Sequence, residues 1–301
     1  MSAEARMRHA FEEALEAVGL HPVVGGEVWA KYIQFETDEL EDLTSPERAA
    51  PVSDKEIANA RARVSKLYRR QLAVPLAGNA EVLRQYIASE HAMEDAEARK
   101  ARKIHDKAHA MLMARMPCEQ AVAGAQPGTP EAAKVWEEYA SYELRARQAG
   151  RAAFVLERAL SEGCCLYERL WAMVSDVLLM GGGAAAEASA TARAVRNVPW
   201  SGELWCRRLR SLERLHAPKA ADATLPGPAS PGPGAGAGGA AGAWPRAGFA
   251  AAEKEVRKAW RQALGSPLAD AQQCVSVALA LCDFYRRGPL TTAAAAIHCG
   301  G

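Results

Sequence analysis

The sequence has almost no excess of charge of either sign: 37 Lys plus Arg against 36 Asp plus Glu, a formal net charge of +1. A chain that works mainly by neutralising phosphates carries a clear basic excess. This one is therefore not expected to be a principal reader of nucleic acid, although a local basic stripe stays open. Aromatic residues amount to only 6% and no strand-like alternation of apolar residues occurs, so neither a sandwich nor a barrel is indicated. There is no CxxC pair among Cys118, Cys164, Cys165, Cys206, Cys274, Cys282 and Cys299. They fall within helical patterns, and are expected to be small core residues of a reduced compartment. No apolar run of about 18 residues is present. Met1 to Leu20 is charged and amphipathic, unlike a signal peptide, so the expectation is an intracellular protein.

What the sequence does have is hydrophobic material, 49% of residues, abundant Ala, and a repeat. Trp29-x2-Tyr32-x2-Phe35-Glu36 recurs as Trp136-x2-Tyr139-x2-Tyr142-Glu143. Weaker copies start at Leu83 (with Tyr86, Ser89 and Glu90), Trp171 (Val174, Val177) and Trp205 (Leu209, Leu212, Glu213). Trp136 and Trp171 are 35 residues apart and Trp171 and Trp205 are 34 apart, one helix–turn–helix unit per repeat. Each first helix is followed by a second with its own signature, clearest as Phe154-Val155-Leu156-Glu157-Arg158-Ala159-Leu160. Versions of it occur at Phe11 to Leu15, at Leu67 to Leu72, and more faintly from Val256 through Trp260 to Leu264. Gly19, Pro75, Gly163 and Pro199 punctuate the ends.

At about 100° per residue, the third and sixth positions after the Trp share its face and the seventh returns almost to its azimuth. The aromatics thus form a packing stripe, and core packing rather than base stacking is expected of Trp29, Trp136, Trp171 and Trp205. The Glu falls on the same stripe and must find a partner there. An Arg of the following helix is the natural candidate, Arg158 for Glu143.

Two stretches interrupt the pattern. Residues 217–249, rich in Pro, Gly and Ala, are expected to form a disordered insertion inside a repeat. Glu119 to Thr129 reads as a shorter loop. The expected organisation is about five repeats over residues 1–216, the first lacking its first helix, then the insertion, final helices over 250–287 and a tail over 288–301. Both ends are expected to be cut relative to a capped solenoid.

Other motifs favour ordinary readings. His105 and His109 have the spacing of a helical zinc pair. No general-base Glu and no third ligand accompany them, so a solvated helix face is the better reading, with a metal-dependent enzyme as the remote alternative. Gly181-Gly182-Gly183 and the glycines at 233–239 lack the strand–turn–helix setting of a phosphate loop. Arg99, Lys100, Arg102 and Lys103 form the densest basic run, a candidate partner contact or import signal. Acidic neighbours favour a salt-bridged surface there. No catalytic set and no cofactor or metal site is indicated.

Trp-x2-Tyr-x2-Phe/Tyr-Glu in the first helix and Glu-Arg-Ala-Leu in the second resemble the half-a-TPR (HAT) repeat of RNA-processing proteins. Gly19-Leu20-His21, the string Tyr68 to Leu76 and the string Arg193 to Trp200 narrow this. They are similar to the HAT domain in the family of the squamous cell carcinoma antigen recognised by T cells, with gaps from about Phe11 to about Tyr285. The resemblance implies an all-α, right-handed superhelical solenoid of antiparallel helix pairs. It implies a nuclear, non-catalytic scaffold for splicing proteins in U4/U6 snRNP assembly or recycling, with a homodimer through the repeats. The alternative is a HAT scaffold of mRNA 3′-end or rRNA processing. No string like Lys-Gly-Phe-Gly-Phe-Val is present, so RNA is expected to bind only weakly or indirectly.

Overall fold

The computed structural model describes residues 2–45, 52–89, 95–181, 183–217 and 246–288. Among them every regular element is helical and there is no strand. The chain divides into two compact units, Met1–Gly124 and Ala125–Gly301.

The first unit holds α1 (Ala3–Val18), α2 (Gly25–Thr44), α3 (Asp54–Leu72), α4 (Asn79–Ala88) and α5 (Asp95–Gly124). Leu15, Trp29, Tyr32, Ile33, Leu67 and Leu76 form its main core, with Phe11 stacked on Tyr32 at 4.8 Å between ring centres. The predicted stripe of α2 is what it buries. Ser53 starts α3 with a complete capping box: its hydroxyl accepts from the Glu56 amide while the Glu56 carboxylate accepts from the Ser53 amide. The weak copy at Leu83 lies on the short α4, where Tyr86 is fully buried but Leu83 only partly so; its Glu90 lies outside the described residues.

The second unit holds α6 (Pro130–Arg145), α7 (Ala149–Ala159), α8 (Glu168–Met180), α9 (Ala184–Asn197), α10 (Gly202–His216), α11 (Arg246–Leu264) and α12 (Ala271–Arg287). Consecutive helices pack on each other, and α10 also packs on α8 and α12. Connections such as Ala146–Gln148 are too short to do anything but reverse the chain, so α6 and α7 form an antiparallel pair. Thr129 caps α6 ahead of Pro130, whose missing amide proton costs nothing in the first turn. After α7 the chain kinks over Leu160–Cys164, where Glu162 leaves helical geometry and Gly163 takes φ +99°. A side chain there would be strained, and its Cβ would stand 3.2 Å from the Gly128 amide nitrogen.

The structure corrects four expectations. The loop expected from Glu119 is helical as far as Gly124, because Glu119 to Ala123 are compatible with helix and only Gly124 breaks it. Residues 246–249 of the expected insertion open α11, where Phe249 stacks on Phe284 at 5.1 Å; residues 218–245 lie outside the described residues. The cysteines are not uniformly core residues: Cys164 and Cys206 are buried, but Cys274 and Cys282 are exposed. Cys299 lies outside the described residues. Finally, His105 does not sit on a solvated face, as described below.

Candidate functional site

The four first-helix tryptophans are core residues: Trp29, Trp136, Trp171 and Trp205 are each no more than 5% exposed. Burial leaves an indole N–H to satisfy, and the turn before the helix does it. Trp29 donates to the Gly19 carbonyl (3.2 Å), Trp171 to Cys165 (2.7 Å) and Trp205 to Pro199 (2.9 Å). The tryptophan therefore fixes the angle at which one pair enters the next. That gives Pro199 and Gly19 a role beyond ending a helix.

One face of the indole takes an arginine from the second helix that follows. Arg70 lies over Trp29 at 5.2 Å, Arg158 over Trp136 at 5.0 Å and Arg193 over Trp171 at 5.2 Å. Two of these guanidiniums are also held by a carboxylate from the preceding second helix. Arg70 donates to both Glu12 oxygens (2.7 and 2.8 Å), and Arg193 to both Glu157 oxygens (3.0 and 2.7 Å). Glu12 and Glu157 occupy the same position of the second-helix signature, and each reaches one repeat forward. The bidentate bond holds the Glu12 carboxyl below its ordinary pKa and raises Arg70 and Arg193. The result, in each unit, is a rung of carboxylate, guanidinium and indole that ties one second helix to the next.

The carboxylates on the packing stripe are buried as the spacing implies: Glu36 and Glu143 are both 1% exposed. Glu36 is held between helices on both sides. Arg8 of α1 donates from Nε (2.5 Å) and Nη2 (3.2 Å), and Arg63 of α3 donates from Nε (2.8 Å). Burial raises the Glu36 pKa, but the two arginines outweigh it and hold it below the ordinary value. Arg63 comes from the following helix but is not its signature arginine, which is Arg70 and goes to Glu12; Arg8, from the preceding helix, was not foreseen. Tyr139 is buried beside Trp136, and Phe35 and Tyr142 are half-buried. Arg158 packs on Trp136 and is 3.4 Å from Glu162.

The basic run lies on α5. Arg99, Lys100, Arg102 and Lys103 are exposed on either side of buried Ala98 and Ala101. Lys100 reaches Glu97 at 3.8 Å, and Arg69 of α3 reaches the same carboxylate at 3.6 Å. Among the described residues, no carboxylate pairs with the other three cations. On the same helix the His105 side chain is only 13% exposed. It stacks on exposed His109 at 5.8 Å, and the two line a small cavity of about 110 Å³ with Val74, Leu76 and Asn79. Helix α5 turns this edge toward the α3–α4 connection, which a charge pattern alone does not reveal. Among the described residues, no group of three His, Cys, Asp or Glu could hold a metal ion. No described helix is long and apolar enough to cross a membrane.

No protein-family model matches the chain. Curated proteins do. The spliceosome associated factor 3, U4/U6 recycling protein, of Danio rerio is 32% identical over 213 residues, 67% of this chain. Its namesakes from Mus musculus and Homo sapiens are 31% identical over 219 residues, 69% of this chain. The chain is homologous to these recycling proteins. It spans only 21% of the first and 19% of the other two, so the homology concerns one part of much longer proteins.

Proposed function

We propose that this chain is a half-a-TPR repeat scaffold of the nucleus that holds proteins of a splicing complex together, without catalysis of its own. The homology to U4/U6 recycling proteins over two thirds of the chain carries this reading. The recurring Trp, Glu and Arg positions support it. They stabilise helix stacking and leave the exposed faces free to differ, as a binding solenoid requires. In this reading residues 1–216 hold about five repeats and 246–287 the final helices. Assembly or recycling of U4/U6 particles is the pathway, a homodimer through the repeats is the assembly, and RNA is contacted weakly or through partners. The α5 run Arg99, Lys100, Arg102 and Lys103 is one candidate contact.

Affinity purification of the tagged chain from nuclei, with and without nuclease, tests this by mass spectrometry and RNA sequencing. Proteins of U4/U6 particles retained after nuclease support it. Proteins of 3′-end cleavage or rRNA processing in their place select the other HAT pathways. Tight, sequence-selective RNA binding by the purified chain at physiological salt refutes the scaffold reading.

A further inference from the structure

The ladder between second helices is missing a rung. Glu12 bridges α1 to Arg70 of α3, and Glu157 bridges α7 to Arg193 of α9. Between α3 and α5 the charges are reversed, with Arg69 on α3 and Glu97 on α5. The step from α9 to α11 has neither charge. Aligned on the second-helix signature, the glutamate position of α9 is Ala192 and the arginine position of α11 is Gln262. The buried positions confirm the register: Val155 and Ala159 of α7 match Ala190 and Ala194 of α9 and Ala259 and Ala263 of α11, all in the core.

Where the rung is absent, the structure is open. Ala192 and Gln262 line a groove of about 780 Å³ that has Trp205 and Leu212 on its wall. Trp205 is the tryptophan of that step; among the described residues no arginine lies over it, and its neighbours keep it 4% exposed. Three cations line the same groove: Arg196 of α9, Arg208 of α10 and Lys258 of α11. Among the described residues none of the three has an ion-pair partner. The side chain of Arg208 donates to the Ala188 carbonyl at 2.6 Å. Burial, with the Arg196 charge adding to it, pushes the Arg208 guanidinium below its ordinary pKa against the pull of Glu255. Glu255, the groove's own carboxylate, lies 3.2 Å from His216. A half-buried guanidinium held this way lacks the anion it is built to accept.

We propose that this groove binds an acidic peptide segment of a partner protein, whose carboxylates take the place of the missing glutamate. Apolar side chains flanking them would rest on Ala192 and Pro199, the half-exposed apolar residues of the groove. The proposal deepens the scaffold reading by naming the chemistry of one partner. The groove suits a peptide better than RNA, because its one aromatic residue, Trp205, is buried and offers no open face on which a base could stack. The net charge of +1 offers no long-range pull on RNA either. Nor does the neighbouring stretch 218–245 match the charge, since its ionisable side chains are one lysine, Lys219, and one aspartate, Asp222.

The test uses the full chain and a short fluorescein-labelled peptide of Glu and Leu, with oligo-uridine of equal length as the alternative probe, read by fluorescence anisotropy. Two variants decide. The pair A192E and Q262R restores the rung found elsewhere; it should match or exceed the wild-type melting temperature and lose the peptide. The pair R196E and K258E should weaken peptide binding by about tenfold or more, whether or not the first variant folds. A peptide rich in Lys and Leu should then bind the second variant better than the wild type. Unchanged affinity in the folded variants, or tighter binding of oligo-uridine than of the peptide, overturns the proposal. Capture of splicing proteins is measured on the same samples. Capture without groove binding refutes the groove alone, and groove binding without capture refutes the scaffold reading alone.

Discussion

Replacing Glu36 by Gln tests the central electrostatic feature of the first unit. The carboxylate is 1% exposed and takes three hydrogen bonds from two arginines on different helices. Breaking a fully buried ion pair from one side costs about 3–5 kcal/mol. Here the surviving cations are not fully buried: the Arg8 and Arg63 side chains are 29% and 40% exposed and can rehydrate. That lowers the expected loss to about 2 kcal/mol. In urea unfolding followed by far-UV circular dichroism, Glu36→Gln and Arg8→Met combined should cost less than the sum of the two single losses, by about 0.5–1 kcal/mol.

The pH dependence gives an independent check with a definite sign. The folded pKa of Glu36 lies below its ordinary value, because the arginine bonds outweigh the effect of burial. A depressed carboxylate contributes stability that is fully present above the unfolded pKa and is lost as pH falls through the folded value. The stability gap between wild type and Glu36→Gln should therefore be constant near neutrality and shrink as pH falls below about 4. A gap that persists undiminished in strong acid, or losses that simply add, would refute the claim that the two arginines act on Glu36 as a charge.

Three further outcomes follow from the ladder and the interruption. Arg193→Met should destabilise by about 1 kcal/mol, since its ion pair is half-exposed and only the indole contact adds to it. Arg193→Lys should recover less than half of that loss, because an ammonium cannot bond both Glu157 oxygens in plane while lying over Trp171; full recovery would show that net charge alone matters. Trp171→Phe should cost about 1–2 kcal/mol in the same unfolding assay. It should also speed amide exchange around Cys165, whose carbonyl loses its donor; unchanged exchange there would mean that the indole bond does not fix the turn. Replacing residues 218–245 with a short Gly/Ser linker should leave helicity intact and change stability by no more than about 1 kcal/mol. A large loss of circular dichroism signal would show that the stretch contributes to the fold.

The first helices were legible because a tryptophan and two aromatics at helical spacing can hardly be anything but a buried stripe. The first-helix glutamate at Glu36 and Glu143 was legible for the same reason. Its partners were only half so: period places a residue on a face, but does not say which of two flanking helices fills the space beside it. Arg8 was therefore missed. The second-helix ladder left a trace that a comparison of Glu12 with Glu157, and of Arg70 with Arg193, could have found. Its donors and acceptors sit one repeat apart, where no motif within a single helix connects them.

The Trp171 repeat shows why the carboxylate itself can escape a sequence reading. Seven residues after Trp171 stands Leu178, so the pattern predicts no buried charge in that repeat. The structure has one anyway, supplied from the other helix of the pair. Glu187 of α9 is 0% exposed, accepts from the Ser175 hydroxyl of α8 at 3.1 Å, and is held by Arg214 of α10, whose Nε donates at 2.9 Å. Neither Glu36 nor Glu187 is a fixed point of the repeat. In both cases a carboxylate is buried where helices meet, and an arginine from an adjacent helix neutralises it. Such a charge can change helices as long as one guanidinium reaches it. A pattern tied to one helix position recovers it only in the repeats that kept the original arrangement.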